Sequence, residues 1–404
     1  MLYTACVERT LLASRVGFVV ERTDDGLREQ QVLPGLVFAD DIVLLSGSTG
    51  DLQTLITNCA EAMAPLGLQF NAKKSAVIAF SGPETPGSLT LPCGGLLPQA
   101  AEYRSLGVNF SAQQDYTANQ EKHLRGASQR ASQILRRKCL WGFNRFTMVR
   151  ELWKTVHVPA LTFANAVVCP TAQTREWLER SQRAVGRLAP GCHGNVANEA
   201  IRGDLGWSRF EAREAGSKLA YEGRLRLMQP HRWARRMFDY IHRNSIRTSP
   251  VQEETERKWA KAVETLVRQT EADTWRRDME GKSTLKLYRE HKREIRVEPL
   301  YDNSVASSLL FEARAGALRT RVYRRRFDEN VGSVMCRVCN ADQETIEHLV
   351  LHCASLTPAP IDGTALPLAL GFSPRVPSGS GDQVNQVATT KSQLREWWAI
   401  VRAH

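Results

Sequence analysis

The chain has 404 residues, of which 42% are hydrophobic and 24% charged, and a formal net charge of +11 at pH 7. This size allows two or three domains with hydrophobic cores, and no apolar run approaches the length of a membrane span. Nine cysteines, only three of them clustered, argue against a disulfide scaffold and predict an intracellular protein, in the nucleus, the cytoplasm or both. We expect no membrane partner, and the excess positive charge indicates a polyanionic one.

Two adjacent carboxylates, Asp40 and Asp41, lie between apolar runs at residues 32–37 and 42–45. Short apolar runs on either side of a polar pair predict a hairpin with both acids at its tip. Carboxylates in this position can bind the divalent cations that neutralise a transferring phosphate. The structural alternative is a simple turn, because aspartate side chains also close hairpins by hydrogen bonding to the local main chain.

The residues after this pair alternate between helical and extended patterns. Residues 49–64 carry apolar side chains at helical spacing and are followed by a proline and a glycine, which predicts a helix. Residues 67–75 read Gly-Leu-Gln-Phe-Asn-Ala-Lys-Lys-Ser and lead into a predicted strand at 76–80. Another short strand pair is predicted to begin at Tyr-Arg-Ser-Leu-Gly-Val, residues 103–108.

This order of motifs resembles the palm of reverse transcriptases, most closely that of non-long-terminal-repeat retrotransposons. The resemblance implies RNA-directed DNA polymerase activity on an RNA template, with a DNA primer or target DNA, and with Mg²⁺ held by Asp40 and Asp41. It also implies that Lys74 lies near the phosphates of the incoming nucleotide. The primer grip of the family corresponds here to Tyr103, Leu106 and Gly107.

The resemblance is incomplete on the amino-terminal side of the hairpin. In the family, a further catalytic aspartate and the fingers lie far upstream, whereas only 39 residues precede Asp40 here. Asp24 and Asp25 do not replace that aspartate, because a polar run leads into them and Gly26 follows, which predicts a turn. Two-metal phosphoryl transfer needs the additional carboxylate. We therefore expect no polymerase activity from this chain alone; whether a partner supplies the missing part of the palm stays open.

A basic stretch follows the primer grip. Residues 121–154 contain nine Lys or Arg and two Glu, with apolar residues at helical intervals, which predicts an amphipathic helix with a basic outer face. This position is typical of the polymerase thumb, which holds a duplex by its phosphates, and an ordinary solvated face is the alternative. The basic residues assigned to nucleic-acid binding are Lys122, Arg125, Arg130, Arg136, Arg137 and Lys138.

A second strong signal is the pair Cys336 and Cys339, followed by His348 and Cys353. Three thiolates and an imidazole at this spacing supply a closed tetrahedral set for structural Zn²⁺, and the pattern is similar to a motif in the same retrotransposon proteins. His352 is an alternative ligand, but its use would leave Cys353 idle beside the metal. We therefore predict a zinc knuckle with His348, the alternative being buried cysteines with surface histidines.

Five arginines crowd around a tyrosine just before the knuckle. An arginine cluster beside a zinc module suits binding of nucleic-acid phosphates and stacking on bases, although a solvated helix end is the alternative. Residues 357–382 are rich in Pro, Gly and Ser, which predicts a linker or disorder, and a last helix is predicted at 391–402. The five arginines are Arg319, Arg321, Arg324, Arg325 and Arg326.

These features predict an α+β protein. Its segments are a truncated polymerase palm (1–112), a helical thumb and post-palm region (113–228), a charged helical linker (229–318), an arginine cluster with a zinc knuckle (319–356), and a disordered linker with a terminal helix (357–404). Aromatic residues dispersed in the charged segment are packing anchors or, alternatively, a stacking platform for single strands. The predicted function is a partial RNA-directed DNA polymerase, and the alternative is a non-enzymatic nucleic-acid-binding remnant.

Overall fold

The computed structural model describes residues 2–24, 27–80, 88–92, 94–112, 118–138, 144–245, 256–372 and 380–403. Helices dominate these residues, and the strands form short antiparallel hairpins, so the fold class is α+β. Within the described part of the chain, no helix combines the length and the apolarity needed to cross a bilayer.

The elements are numbered in chain order. The strands β1 to β6 are Phe18–Asp24, Leu27–Leu33, Gly35–Phe38, Asp41–Leu44, Glu102–Ser105 and Val108–Ser111. The helices α1 to α15 are Leu2–Ala13, Thr49–Met63, Ala118–Lys138, Arg145–Leu152, Val158–Thr162, Ala172–Leu188, Asn198–Leu205, Phe210–Leu227, Trp233–Ser245, Glu256–Glu280, Lys286–His291, Val305–Arg314, Arg321–Arg325, Leu366–Ala369 and Ser380–Ala403. Short 3₁₀ turns occur at Ala64–Leu66 and Ser283–Leu285, and wider π turns at Trp153–His157 and His348–His352.

The chain forms two compact units. The first consists of residues 1–123, 166–170 and 218–261. The second consists of residues 124–165, 171–217 and 262–404.

In the first unit, α1 packs against α2. Helix α2, Thr49–Met63, confirms the helix predicted at 49–64. The side chain of Ser48 accepts a hydrogen bond from the main chain of Asp51 and caps the start of α2, because the first amide groups of a helix lack internal partners. The helix passes into the 3₁₀ turn and ends at Gly67, whose φ of 69° is the left-handed conformation that glycine adopts without strain.

Of the three two-stranded sheets in the described residues, two lie between α1 and α2 in sequence and the third follows α2. In the pairing of β1 with β2, Asp24 ends β1 and pairs with Leu27, so the two strands form the expected hairpin; Asp25 and Gly26, predicted as turn residues, lie outside the described residues. The apolar run predicted at 32–37 is divided, because Leu33 ends β2 and Pro34, which has no amide hydrogen, separates it from β3. The strand predicted at 76–80 is absent from the structure, since Val77 forms only an isolated bridge with Gln99.

The second unit has a large helical core that includes several tryptophans. Trp153, Trp207, Trp275 and Trp397 are fully buried. Trp275 also donates a hydrogen bond from its indole nitrogen to the Glu199 carbonyl, at 2.9 Å. Trp275 comes from the charged segment, for which packing anchors and a stacking platform are the two interpretations, and in the structure it is a packing anchor.

A buried polar group lies inside this core around Asp204 on α7. The Tyr288 hydroxyl donates to Asp204 Oδ1 at 2.7 Å, and the Arg314 Nε lies 3.1 Å from Oδ2. The Tyr301 hydroxyl also donates to Oδ2, and Lys292 Nζ lies 3.7 Å from Oδ1. Burial alone would raise the pKa of Asp204, but the two cations hold it below its ordinary value. Asp204 is therefore a buried carboxylate that four donors keep ionised.

A second buried carboxylate, Glu312 on α12, has weaker cationic support, because the charge of Arg319 lowers its pKa by less than burial raises it. Its Oε1 accepts the main-chain N–H of His193, at 3.2 Å. The His193 ring is neutral, because Nε2 donates to the Ala317 carbonyl at 2.8 Å while Nδ1 accepts the N–H of Asn195 at 3.2 Å. Burial accordingly raises the pKa of Glu312 to about 7, and no ion pair with His193 offsets this.

The end of the chain packs on the second unit over more residues than the sequence predicts. Residues 366–372, expected within a linker, contain α14 and bury Leu370 and Phe372. Helix α15 begins at Ser380, earlier than the predicted 391–402, and buries Leu394 and Trp397. Residues 373–379, also part of the predicted linker, lie outside the described residues. Apolar side chains spaced between Pro and Gly residues thus still contribute to the core.

Candidate metal centre and nucleic-acid interface

The four predicted zinc ligands converge in the second unit. The ligand atoms of Cys336, Cys339, His348 and Cys353 all lie within 4.8 Å of one another. The sulfurs of Cys336 and Cys353 are 3.9 Å apart, and Cys339 Sγ is 3.2 Å from His348 Nε2. A tetrahedral zinc ion with bonds of about 2.3 Å to sulfur separates two sulfurs by about 3.8 Å. The four side chains can therefore hold a metal such as zinc.

The first two ligands are placed by a tight loop. Met335 and Gln343 form an antiparallel bridge at its base, and the Cys336 N–H donates to the Asp342 carbonyl at 2.7 Å. The Asn340 N–H donates back to the Cys336 carbonyl at 2.9 Å, and Asn340 has a φ of 54°. Asparagine tolerates this left-handed conformation better than most residues, so the chain can reverse immediately after Cys339.

The last two ligands are placed by the π turn. The Cys353 N–H donates to the His348 carbonyl, five residues back, at 2.8 Å. This wide turn brings the Cys353 thiol next to the imidazole, whereas an ideal α-helix would place a residue five positions on about 140° around the axis from His348. His352 is exposed and lies outside the cluster, so the structure favours the set with His348 over the alternative with His352.

The pKa values of the three thiols are shifted in different directions: burial would raise the pKa of Cys339, but a hydrogen bond from the Ala341 main chain contributes to its lowered value. Burial raises the pKa of Cys336, and it raises the pKa of Cys353 to about 12. Buried thiols of this kind become metal ligands when a cation compensates the charge of the thiolates. His348 Nδ1 is buried without a hydrogen-bond partner, and a carboxylate oxygen, Asp342 Oδ2, is 3.8 Å away. Asp342 is not hydrogen-bonded to the imidazole at this distance, but a small movement of its side chain would let it orient the ring, as carboxylates commonly do for metal-bound histidines.

Glu344 connects the metal loop to the arginine cluster. Its side chain is fully buried and accepts from Arg337 at the main-chain N–H (3.0 Å), Nε (2.9 Å) and Nη2 (2.5 Å). Its other contact is the main-chain N–H of Arg321, at 2.9 Å, where α13 begins. Burial would raise the pKa of Glu344, but the Arg337 and Arg321 hydrogen bonds hold it below its ordinary value.

The predicted arginines divide into internal and exposed residues. Arg321 donates from Nη1 to the Met335 carbonyl at 2.9 Å and therefore braces the metal loop. Arg319 is exposed, with its guanidinium 5.5 Å from the centre of the Trp398 ring. Arg324, Arg325 and Arg326 are also exposed, at the end of α13 and just after it. The four exposed arginines are accessible to phosphate groups, whereas the Arg321 side chain is hydrogen-bonded within the protein.

The basic helix α3 shows a similar division. Leu124, Ala131 and Leu135 are buried, which confirms the amphipathic pattern. Arg125 is turned inward, because Nε and Nη2 donate to Thr174 Oγ1 at 3.0 and 2.8 Å. The side chain of Lys138 lies outside the described residues. The exposed basic residues of α3 are Lys122, Arg130, Arg136 and Arg137.

In the first unit, Asp40 and Asp41 lie at the exposed tip of the hairpin formed by β3 and β4, as predicted. Ala39, at the same turn, has a φ of 54°, which is strained for a residue with a Cβ. Within the described ranges, no group of three potential metal ligands includes either aspartate. A magnesium site at this tip therefore lacks structural support.

The other residues that the sequence predicts to be palm motifs lie near each other in the same unit. The Tyr103 hydroxyl donates to the Lys74 carbonyl at 2.6 Å, and the Lys74 side chain is exposed. Leu106 and Gly107 form the two-residue turn between β5 and β6, with φ angles of 47° and 84°. Two left-handed residues in succession match the twist of a tight hairpin. The predicted primer-grip residues thus form one hairpin, anchored at Tyr103 to the chain around Lys74.

Comparisons with known proteins add no relative, since no family model, curated protein or solved structure matches this chain. Glu344 and Asp342 are the site residues that the sequence pattern missed. Neither belongs to a motif, and the only signal is that both lie between the second and third metal ligands, a position from which second-layer carboxylates can reach them.

Proposed function

We propose that this protein binds nucleic acid through a zinc-stabilised module at residues 319–356, and that it derives from the reverse transcriptase of a non-long-terminal-repeat retrotransposon. The observation that carries the proposal is the convergence of the four ligands beside an exposed arginine cluster, with Glu344 bridging the two. Zinc is the preferred ion because a set of three thiolates and one imidazole is a common structural zinc site.

Phosphate groups are the ligand that the exposed arginines suit. Arginine stays charged at all physiological pH values and presents several N–H donors in one plane, which match phosphate oxygens. The exposed face of α3 adds further positive charge to the second unit through Arg130, Arg136 and Arg137. Contacts of this kind hold the backbone of RNA or DNA without reading its sequence.

The proposal is tested by measuring the affinity of the full chain for labelled RNA and DNA as a function of salt. Replacing Arg324, Arg325 and Arg326 together by Gln should weaken binding and make it less salt-dependent. For a single strand, the slope of log K against log salt should fall by about 0.7 for each phosphate that the variant no longer neutralises. The control is Arg268→Gln, an exposed arginine of α10 whose partner is Glu264. Equal slopes for the triple variant and wild type would contradict the proposal.

RNA-directed DNA polymerisation is a second candidate function, favoured by the exposed pair Asp40 and Asp41 at a strained hairpin tip. In this candidate, the pair holds Mg²⁺ only when a further carboxylate, from a partner that completes the palm, joins it. Primer extension on an RNA template with magnesium is the test. We expect no extension by the chain alone, and activity that Asp40→Ala abolishes would show that this chain carries a working site.

A further inference from the structure

Phe327, just after α13, has an aromatic side chain that is exposed to solvent. It is 73% exposed, the largest value among the large apolar side chains that the structure describes. Burial of an aromatic ring contributes strongly to stability, and an exposed ring such as that of Phe327 therefore contributes little to the stability of the fold. The neighbouring Tyr323 behaves differently, because it packs against the core of the second unit.

The exposed ring is nevertheless held in place. The main-chain N–H groups of Phe327 and Asp328 both donate to the Arg324 carbonyl, each at 3.0 Å, so the backbone forms a closed turn. The Phe327 ring centre lies 5.3 Å from that of Tyr323, with the two planes tilted by 57°. Aromatic pairs of this geometry attract each other. Tyr323 therefore supports Phe327 from the protein side and leaves the rest of the ring accessible.

Charged residues of both signs flank Phe327, with three arginines before it and the acidic Asp328 and Glu329 after it. Arg324, Arg325 and Arg326 precede it directly and are all exposed. Arg324 lies 3.8 Å from the Asp328 carboxylate, but the two side chains are 49% and 41% exposed, so this ion pair is weak. Arg325 uses one N–H, which donates to the Gly332 carbonyl at 3.2 Å. Most of the guanidinium donors around the ring therefore stay directed to solvent or to a ligand.

We propose that Phe327 is a stacking site for one base of a single-stranded nucleic acid, with the flanking phosphates on Arg324, Arg325 and Arg326. This inference rests on the proposed nucleic-acid function and adds to it the strand type and the contact. Bases of a single strand expose their faces, whereas those of a duplex are already stacked. A protein partner fits less well, because covering Phe327 would also remove three adjacent cations from water.

The test compares the affinity of the full chain and its Phe327→Ala variant for a short single-stranded RNA. The variant should bind about 5-fold to about 150-fold more weakly, because base stacking on an aromatic side chain contributes about 1 to 3 kcal/mol. The salt dependence should not change, since no charge is removed. Phe327→Tyr should bind like wild type, and Val305→Ala, which trims another exposed apolar side chain of the same unit, should have no effect. With an abasic oligonucleotide, wild type and Phe327→Ala should bind equally.

The possible outcomes separate the two proposals. If Arg326→Gln weakens binding and Phe327→Ala does not, the stacking site is wrong and the nucleic-acid function stands. If wild type binds neither RNA nor DNA at low salt, both proposals are wrong. If Phe327→Ala changes the sedimentation of the protein but not its affinity for RNA, Phe327 is a protein contact and the stacking site is again wrong.

Discussion

Replacing Glu344 by Gln should loosen both the metal loop and the start of the arginine helix. The side chain keeps its size but loses the charge that three Arg337 N–H groups and one Arg321 N–H group share. The Arg337 side chain, only 11% exposed, would then be a buried cation without its carboxylate.

Breaking a buried ion pair from one side costs about 3 to 5 kcal/mol, because the remaining charge stays desolvated. Part of this cost should fall on metal binding, since Arg337 lies between two of the ligands, Cys336 and Cys339. Mutation of a residue that supports metal ligands typically lowers metal affinity by about 10-fold to 100-fold. We therefore expect Glu344→Gln to lower zinc affinity by at least about 10-fold and also to weaken RNA binding.

Competition for zinc with a coloured chelator measures the first effect, and fluorescence anisotropy with labelled RNA measures the second. Glu347→Gln is the matched control, because it makes the same chemical change at an exposed position three residues away. If Glu344→Gln retains the zinc and RNA affinities of the control, the buried bridge does not connect the metal loop to the arginine cluster, and our reasoning about it is refuted.

Three further predictions concern the metal and the buried carboxylates. The purified chain should hold about one zinc ion, and Cys339→Ser should lose it whereas Cys6→Ser should not, as measured by elemental analysis of protein purified without chelators. Because the pKa of Glu312 is raised from 4.5 to about 7, stability should fall by up to about 3 kcal/mol as pH rises through this interval. Glu312→Gln should remove that fall in urea unfolding at pH 5 and pH 8, and an unchanged pH profile would contradict the assignment. Asp204→Asn should destabilise the second unit by about 3 to 5 kcal/mol, and a change below about 1 kcal/mol in thermal unfolding would show that its cations find other partners.

The sequence predicts local elements well where side-chain spacing and stop signals agree. Helix α2 is predicted at 49–64 and occurs at Thr49–Met63, because its apolar stripe, cap and terminal glycine all indicate the same limits. The hairpin at Asp40 and the short strand pair that begins at Tyr103 are also predicted. The four metal ligands could be named because the cysteine spacing is typical of a zinc site and because choosing His352 instead of His348 would leave Cys353 idle.

Predictions that depend on tertiary partners are less successful. Residues 76–80 have strand-like composition, yet no neighbouring strand pairs with them beyond the bridge of Val77 to Gln99. Charge patterns cannot distinguish an arginine that binds phosphate from one that is hydrogen-bonded within the protein. In the structure, Arg125 and Arg321 are of the second kind. Glu344 is one acidic residue among many in the sequence, and only the folded chain shows that it is buried between two arginines.

The π turn at His348–His352 makes the number of residues between the last two ligands more important than their identity. Deleting one residue there would leave His348 and the thiol four positions apart, which an ordinary α-helical turn brings onto one face, whereas an insertion would turn the thiol by about 100° about the helix axis, away from the other three ligands. The side chains between the two ligands are constrained by packing instead of by the metal, because Leu349 and Val350 are buried whereas His352 is exposed. Point substitutions at the exposed position, and loss of one residue, should therefore be tolerated in this segment, whereas an insertion should not.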